Sequence, residues 1–136
     1  AVLARRCSYG LVWPASARVA PSGAAVVVAV QPLPAWTELW VFRRGAAGQP
    51  WDVETLTPAA VEPTAGYVEA AGFTPDSARL LVAREAVVEG RLRRSFEVLR
   101  LATLAAEQRA ASPERLAAFR RWAAAEWRAR SPAGGR

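Results

Sequence analysis

The sequence contains no lysine, methionine, histidine, asparagine or isoleucine, and a single cysteine. Each absence removes a chemistry. Without histidine there is no Ser-His-Asp or Cys-His nucleophile and no histidine-ligated zinc or haem. Cys7 alone forms neither an internal disulfide nor a cysteine-cluster metal site. Without lysine the Gly-x-x-x-x-Gly-Lys phosphate loop cannot be built, and no Gly-x-Gly-x-x-Gly occurs either. No apolar run approaches the ~18 residues that read as a membrane-spanning helix. Ala1-Val2-Leu3-Ala4 runs directly into Arg5-Arg6, so no signal-peptide hydrophobic region stands there. With no initiating methionine, the expectation is a piece of a longer polypeptide.

What is present is arginine, alanine and tryptophan. All 18 cationic side chains are arginine against 12 acids, a net charge of +6. A lysine-free, alanine-rich chain is the product expected of GC-rich coding, which explains the basic balance without a polyanionic partner. The charge is uneven: residues 1–68 carry +1 and residues 69–136 carry +5. The arginines of that second half are interspersed with Glu and Ala, so a nucleic-acid or membrane-surface contact is weakly signalled. A chain of 136 residues fits one domain. Val, Leu and Phe make up about 23% of it, enough for a modest core because the level at which disorder becomes the default is ~20%.

The strongest internal signal is self-similarity at an offset of 54. Trp13-Pro14-Ala15-Ser16-Ala17-Arg18-Val19-Ala20-Pro21-Ser22-Gly23 aligns with Tyr67-Val68-Glu69-Ala70-Ala71-Gly72-Phe73-Thr74-Pro75-Asp76-Ser77. An aromatic, an apolar residue six later and a Pro-Ser/Asp-Gly/Ser turn coincide. Pro presets φ, Asp or Ser bonds the backbone two residues on, and Gly accepts positive φ. Each copy continues into a short apolar run, Ala24–Val30 and Ala78–Ala83, read as buried strand. A third strand follows in each, Thr37–Arg43 and Ser95–Leu101. Glu89-Gly90, between two long arms, predicts a tight hairpin. Trp51–Thr57 alternates apolar and polar as an outer strand does; its counterpart near Ala106–Arg109 is short. Each copy therefore predicts three or four antiparallel strands.

Gly72-Phe73-Thr74-Pro75-Asp76-Ser77-Ala78-Arg79-Leu80-Leu81-Val82 resembles the apolar–Ser–Pro–Asp–Gly–x–x–apolar blade signature of TolB-like and related WD-repeat β-propellers, and Leu39-Trp40-Val41-Phe42 is similar to their third strand. The resemblance covers about residues 10–110. It departs from the pattern at Ser22, where Asp is usual, at Ser77, where Gly is usual, in the long spacing, and in lacking a Trp-Asp pair. It implies a fold and transfers no catalytic residue. Because a propeller needs about four to eight blades, and two alone leave exposed edges, it implies that other blades come from the same protein or another chain. A periplasmic or cell-envelope location follows from the resemblance only.

Ser112-Pro113-Glu114 predicts a helix start. At 100° per residue Leu116, Phe119, Ala123 and Trp127 share a stripe, with Trp122 on its flank and Arg121 and Arg128 opposite. The stripe is expected to pack on a sheet; the functional alternative is a basic helix on an anionic membrane or in a partner groove. Glu85 and Glu89 would share a strand face, read as a salt-bridged surface. Asp76 is read as a turn-stabilising residue, and Cys7 beside Arg5 and Arg6 as a thiol without a redox role. Trp13, Trp36, Trp40 and Trp51 are read as core, with Trp36 the one expected to be exposed.

The resulting expectation is a mainly β chain: two antiparallel blade-like sheets and a C-terminal amphipathic helix, the alternative being a β-sandwich. Its boundaries are residues 1–9 (a truncated or frayed segment), 10–64 (first blade), 65–111 (second blade), 112–130 (helix) and 131–136 (disordered tail). No catalytic, cofactor-binding or metal residue is assigned, and no cofactor is expected. The expected role is a non-catalytic interaction scaffold from a larger propeller. The alternatives are the propeller portion of a hydrolase whose catalytic residues lie elsewhere, and an arginine-rich binder of nucleic acid or anionic surfaces.

Overall fold

The structure, a computed structural model, describes residues 2–59 and 65–130. Eight strands account for most of them: β1 (Leu11–Val19), β2 (Ala25–Leu33), β3 (Trp36–Arg43), β4 (Asp52–Leu56), β5 (Gly66–Phe73), β6 (Arg79–Val88), β7 (Arg91–Arg100) and β8 (Ala106–Ala110). They form an open, mostly antiparallel sheet ordered β1-β2-β3-β5-β6-β7-β8, with β4 also paired to β3. Within it β1–β4 and β5–β8 are two four-stranded meanders. Among the described residues the strands of the two meanders pair only through a short parallel contact of Trp36 and Thr37 with Gly66 and Tyr67.

The turns explain why the chain doubles back where it does. Gly23 and Ser77 both take positive φ, 74° and 59°, at the end of the first hairpin of each meander. The amide of Gly23 donates to Ala20 O and that of Ser77 to Thr74 O. Ser22 Oγ accepts from Ala24 N, and Asp76 Oδ1 accepts from Ala78 N, so a hydroxyl and a carboxylate perform one turn-closing task. Strand pairing keeps the same spacing: Arg18↔Val27 and Val19↔Val26 in one meander, Gly72↔Leu81 and Phe73↔Leu80 in the other. The fourth strands, Asp52–Leu56 and Ala106–Ala110, also lie 54 positions apart. Glu89 and Gly90, at φ 51° and 72°, make the tight β6–β7 turn.

Alternation decides the faces. Ala25, Val27, Leu39, Val41 and Leu56 of the first meander bury into one apolar cluster with Val68, Leu80, Val82, Leu99 and Leu101 of the second. The opposite face of the second meander, with Ala71, Leu81, Ala83, Phe96 and Val98, packs under Leu116, Phe119, Ala123 and Trp127. Phe96, Phe119 and Trp127 meet edge-to-face with centroids 5.6–6.3 Å apart. The opposite face of the first meander carries Val26, Val28 and Phe42, each only half-buried. There the guanidinium of Arg6 lies 4.7 Å over the Trp40 ring, so part of the segment expected to fray rests on the sheet.

The expected helix over 112–130 is instead three short pieces: a 3-10 turn at Pro113–Arg115, α1 (Ala117–Trp122) and α2 (Ala125–Arg130). Leu116 and Ala123 both take extended ψ. The cause of the second break is tertiary: Ala124 N donates to Ala71 O at 2.7 Å, so β5 captures a backbone group that a continuous helix would use. Gly72 permits the approach, since a Cβ there would lie 2.8 Å from Trp122 O. Arg128 is not on an opposite face. Because the helix breaks, its guanidinium turns back to donate to the carbonyls of Phe119, Arg120 and Ala123, capping α1. Ser112 supplies no side-chain cap. The tail expected to be disordered, 131–136, lies outside the described residues.

Candidate functional site

Three surface features could carry function: an edge, a cleft and a basic cavity. The edge is β1, which pairs only with β2 and leaves Leu11, Val12, Trp13 and Val19 roughly half exposed or more. Its pairing jumps from Trp13↔Ala29 to Arg18↔Val27, so Pro14–Ala17 bulge outward. Ser16 holds the bulge: its hydroxyl donates to Trp13 O and accepts from Ala29 N. Beside the edge, the cleft between the meanders encloses about 220 Å³ among Ser16, Arg18, Thr37, Tyr67 and Glu69. Arg18 donates to Ala15 O and Ala17 O. The Tyr67 phenol donates to Glu85 at 3.3 Å. Burial first, and then the negative charges of Glu85 and Glu69, push its pKa up to about 12.

A second polar region lies where the β6–β7 hairpin extends past the shared core. Glu97 alternates with Leu99 and Leu101, so it points to the core side of its meander and is only 1% exposed. Arg84 of β6 ion-pairs with one carboxylate oxygen, and Arg109 of β8 holds the other at 2.8 Å. Arg84 also donates to Thr57 O, which ties the hairpin to the chain beyond β4. A comparable knot closes the other end of the core. The buried Arg43 ion-pairs with Asp52 and Glu54 and donates to Leu101 O and Ala102 O of the second meander.

Several residues lie elsewhere than the sequence suggested. Trp36 is 6% exposed and Trp13 is 49% exposed, the reverse of the expectation. Trp36 opens a central strand and is covered by β5, whereas Trp13 stands on an edge strand just before its bulge. Trp40 is buried, and Trp51 is half-buried with Arg44 over its ring at 5.6 Å. Glu85 and Glu89 do not share a face: Glu85 ion-pairs with Arg94, while Glu89 sits in the turn itself. Asp76 Oδ1 accepts from Ala78 N and the Thr74 hydroxyl, and these bonds hold its pKa below the ordinary value. Cys7 is exposed. Glu97 and Arg43 were missed as buried charges, although their alternation with Leu99 and Val41 was the available signal.

Among the described residues no three His, Cys, Asp or Glu side chains converge as a metal site, and no helix is long and apolar enough to cross a membrane. Comparison with known proteins finds no matching family profile, no matching curated protein and no matching solved structure.

Proposed function

We propose that the chain is a non-catalytic interaction scaffold built as a pair of propeller-type blades. The observation that carries this reading is the recurrence of one hydrogen-bonded meander pattern 54 positions later, with both copies sharing an apolar cluster. A self-sufficient two-sheet sandwich buries the facing sides and leaves polar far sides. Here the far side of the second meander is apolar and covered by helices, and that of the first presents Val26, Val28 and Phe42 half-buried. Both features favour a stack that continues on the side of the first meander. On this reading further blades, from the same protein or another chain, meet that face and the β1 edge, and α1 and α2 cap the opposite end. Envelope localisation remains an implication of the TolB-like resemblance.

The isolated chain then offers its open edge and face to itself. Sedimentation velocity is expected to show concentration-dependent association. A chain carrying Val12→Lys and Val26→Lys should associate less while keeping its far-ultraviolet circular dichroism. A wild-type chain that stays monomeric at high concentration counts against the reading.

A further inference from the structure

The open pocket beside the β6–β7 hairpin holds about 600 Å³, and the side chains along it include Arg84, Arg93, Arg109 and Glu97. That volume is in the range that holds small ligands. We infer that it is an anion site for a small phosphorylated ligand. The guanidiniums of Arg84, Arg93 and Arg109 stand on the sheet face of Glu97 against its one carboxylate, so among the described residues two positive charges remain in excess; Arg94, one position off that face, is paired with Glu85.

The arrangement is built rather than incidental. A buried carboxylate is an unfavourable way to fill a sheet face, and an apolar residue of similar volume is often as stable or more so. What Glu97 achieves is orientation. It holds Arg109 through Nε and Nη2, which leaves Nη1 of this largely exposed side chain unengaged among the described residues. It fixes Arg84 from the other side while Thr57 O occupies Arg84 Nη1. Arg93 lies on the same strand face two positions from Ser95 and four from Glu97, and makes no ion pair or side-chain hydrogen bond among the described residues. Guanidinium groups fixed in this way suit a tetrahedral oxyanion, whose oxygens accept paired N–H groups. A phosphate group with two charges would neutralise the excess.

The test uses inorganic pyrophosphate as the probe, titrated into the purified chain at constant ionic strength with sodium chloride as the balancing salt. Saturable calorimetric binding is expected, with perturbation of the Nε–H resonances of Arg84, Arg93 and Arg109. Arg93→Glu should weaken binding roughly tenfold or more, since it removes one charge-assisted contact and adds a like charge. Arg121→Glu, on the exposed side of α1, should leave it unchanged. The inference is overturned if wild type shows no saturable binding, or if both charge reversals weaken it equally, which would mark a diffuse effect of net charge.

Discussion

Single residues hold this fold at places where backbone geometry or burial leaves little choice. Ala35 occupies the two-residue β2–β3 turn at φ 60°, a conformation that penalises its Cβ. Ala35→Gly should raise stability by about 0.5–1 kcal/mol, read as a higher midpoint in urea with unchanged slope. Thr55, paired across from Trp40, buries its hydroxyl without a hydrogen-bond partner among the described residues. Thr55→Val, close to isosteric, is expected to be neutral or stabilising by up to about 1 kcal/mol. A loss of more than that would reveal a partner for the hydroxyl. Asp76 makes the acid limb of stability local. Its carboxylate is favoured in the fold, so its contribution is present above the unfolded pKa and disappears as pH falls through the lower folded value. Asp76→Asn keeps the turn-closing acceptor and should flatten thermal stability across the acidic range. Tyr67 acts in the opposite sense. Its neutral form is favoured, so its contribution is intact below the unfolded pKa, near 10, and is lost as pH rises towards about 12. In a Tyr9→Phe background, where Tyr67 is the sole phenol, ultraviolet titration should show ionisation near that higher value.

At the scale of elements, the strands were legible because their signals are local. Ala24–Val30 and Arg79–Val88 alternate between two environments, and Pro-Ser-Gly, Pro-Asp-Ser and Glu-Gly mark the turns that separate them. The helix was legible in its buried stripe and illegible in its continuity. Leu116, Phe119, Ala123 and Trp127 are buried as the periodicity required. The break between α1 and α2 comes from Ala71, some 50 positions away in sequence, and no local pattern reports such a bond. The tryptophans failed for a related reason: whether a strand is central or at an edge depends on sheet order, which period-2 alternation does not encode. The docking of the helices gives a direct check. Gly72→Val places a side chain against Trp122 O and Ala124 N. It should cost about 2–4 kcal/mol and free α1 and α2 to early proteolysis, with the strand signal in circular dichroism retained.

For the whole molecule, the two meanders function as one body because an apolar cluster and two charge knots join them. Arg43 ends the shared core at one side and Glu97 with Arg84 at the other, and each reaches backbone carbonyls across the junction. Charged residues in strands read as solvent-facing, so neither knot was legible from composition. The basic excess of the second half, which the sequence made look diffuse, is partly gathered around one cavity. The central claim is that Ala25, Val27, Leu39 and Val41 face the second meander, while Val26, Val28 and Phe42 face away from it. Methyl nuclear Overhauser spectroscopy on the isolated chain under monomeric conditions measures this most directly. Cross-peaks should join the Val27, Leu39 and Val41 methyls to those of Val68, Leu80 and Val82. Cross-peaks from Val26 and Val28 to that set instead would contradict the account.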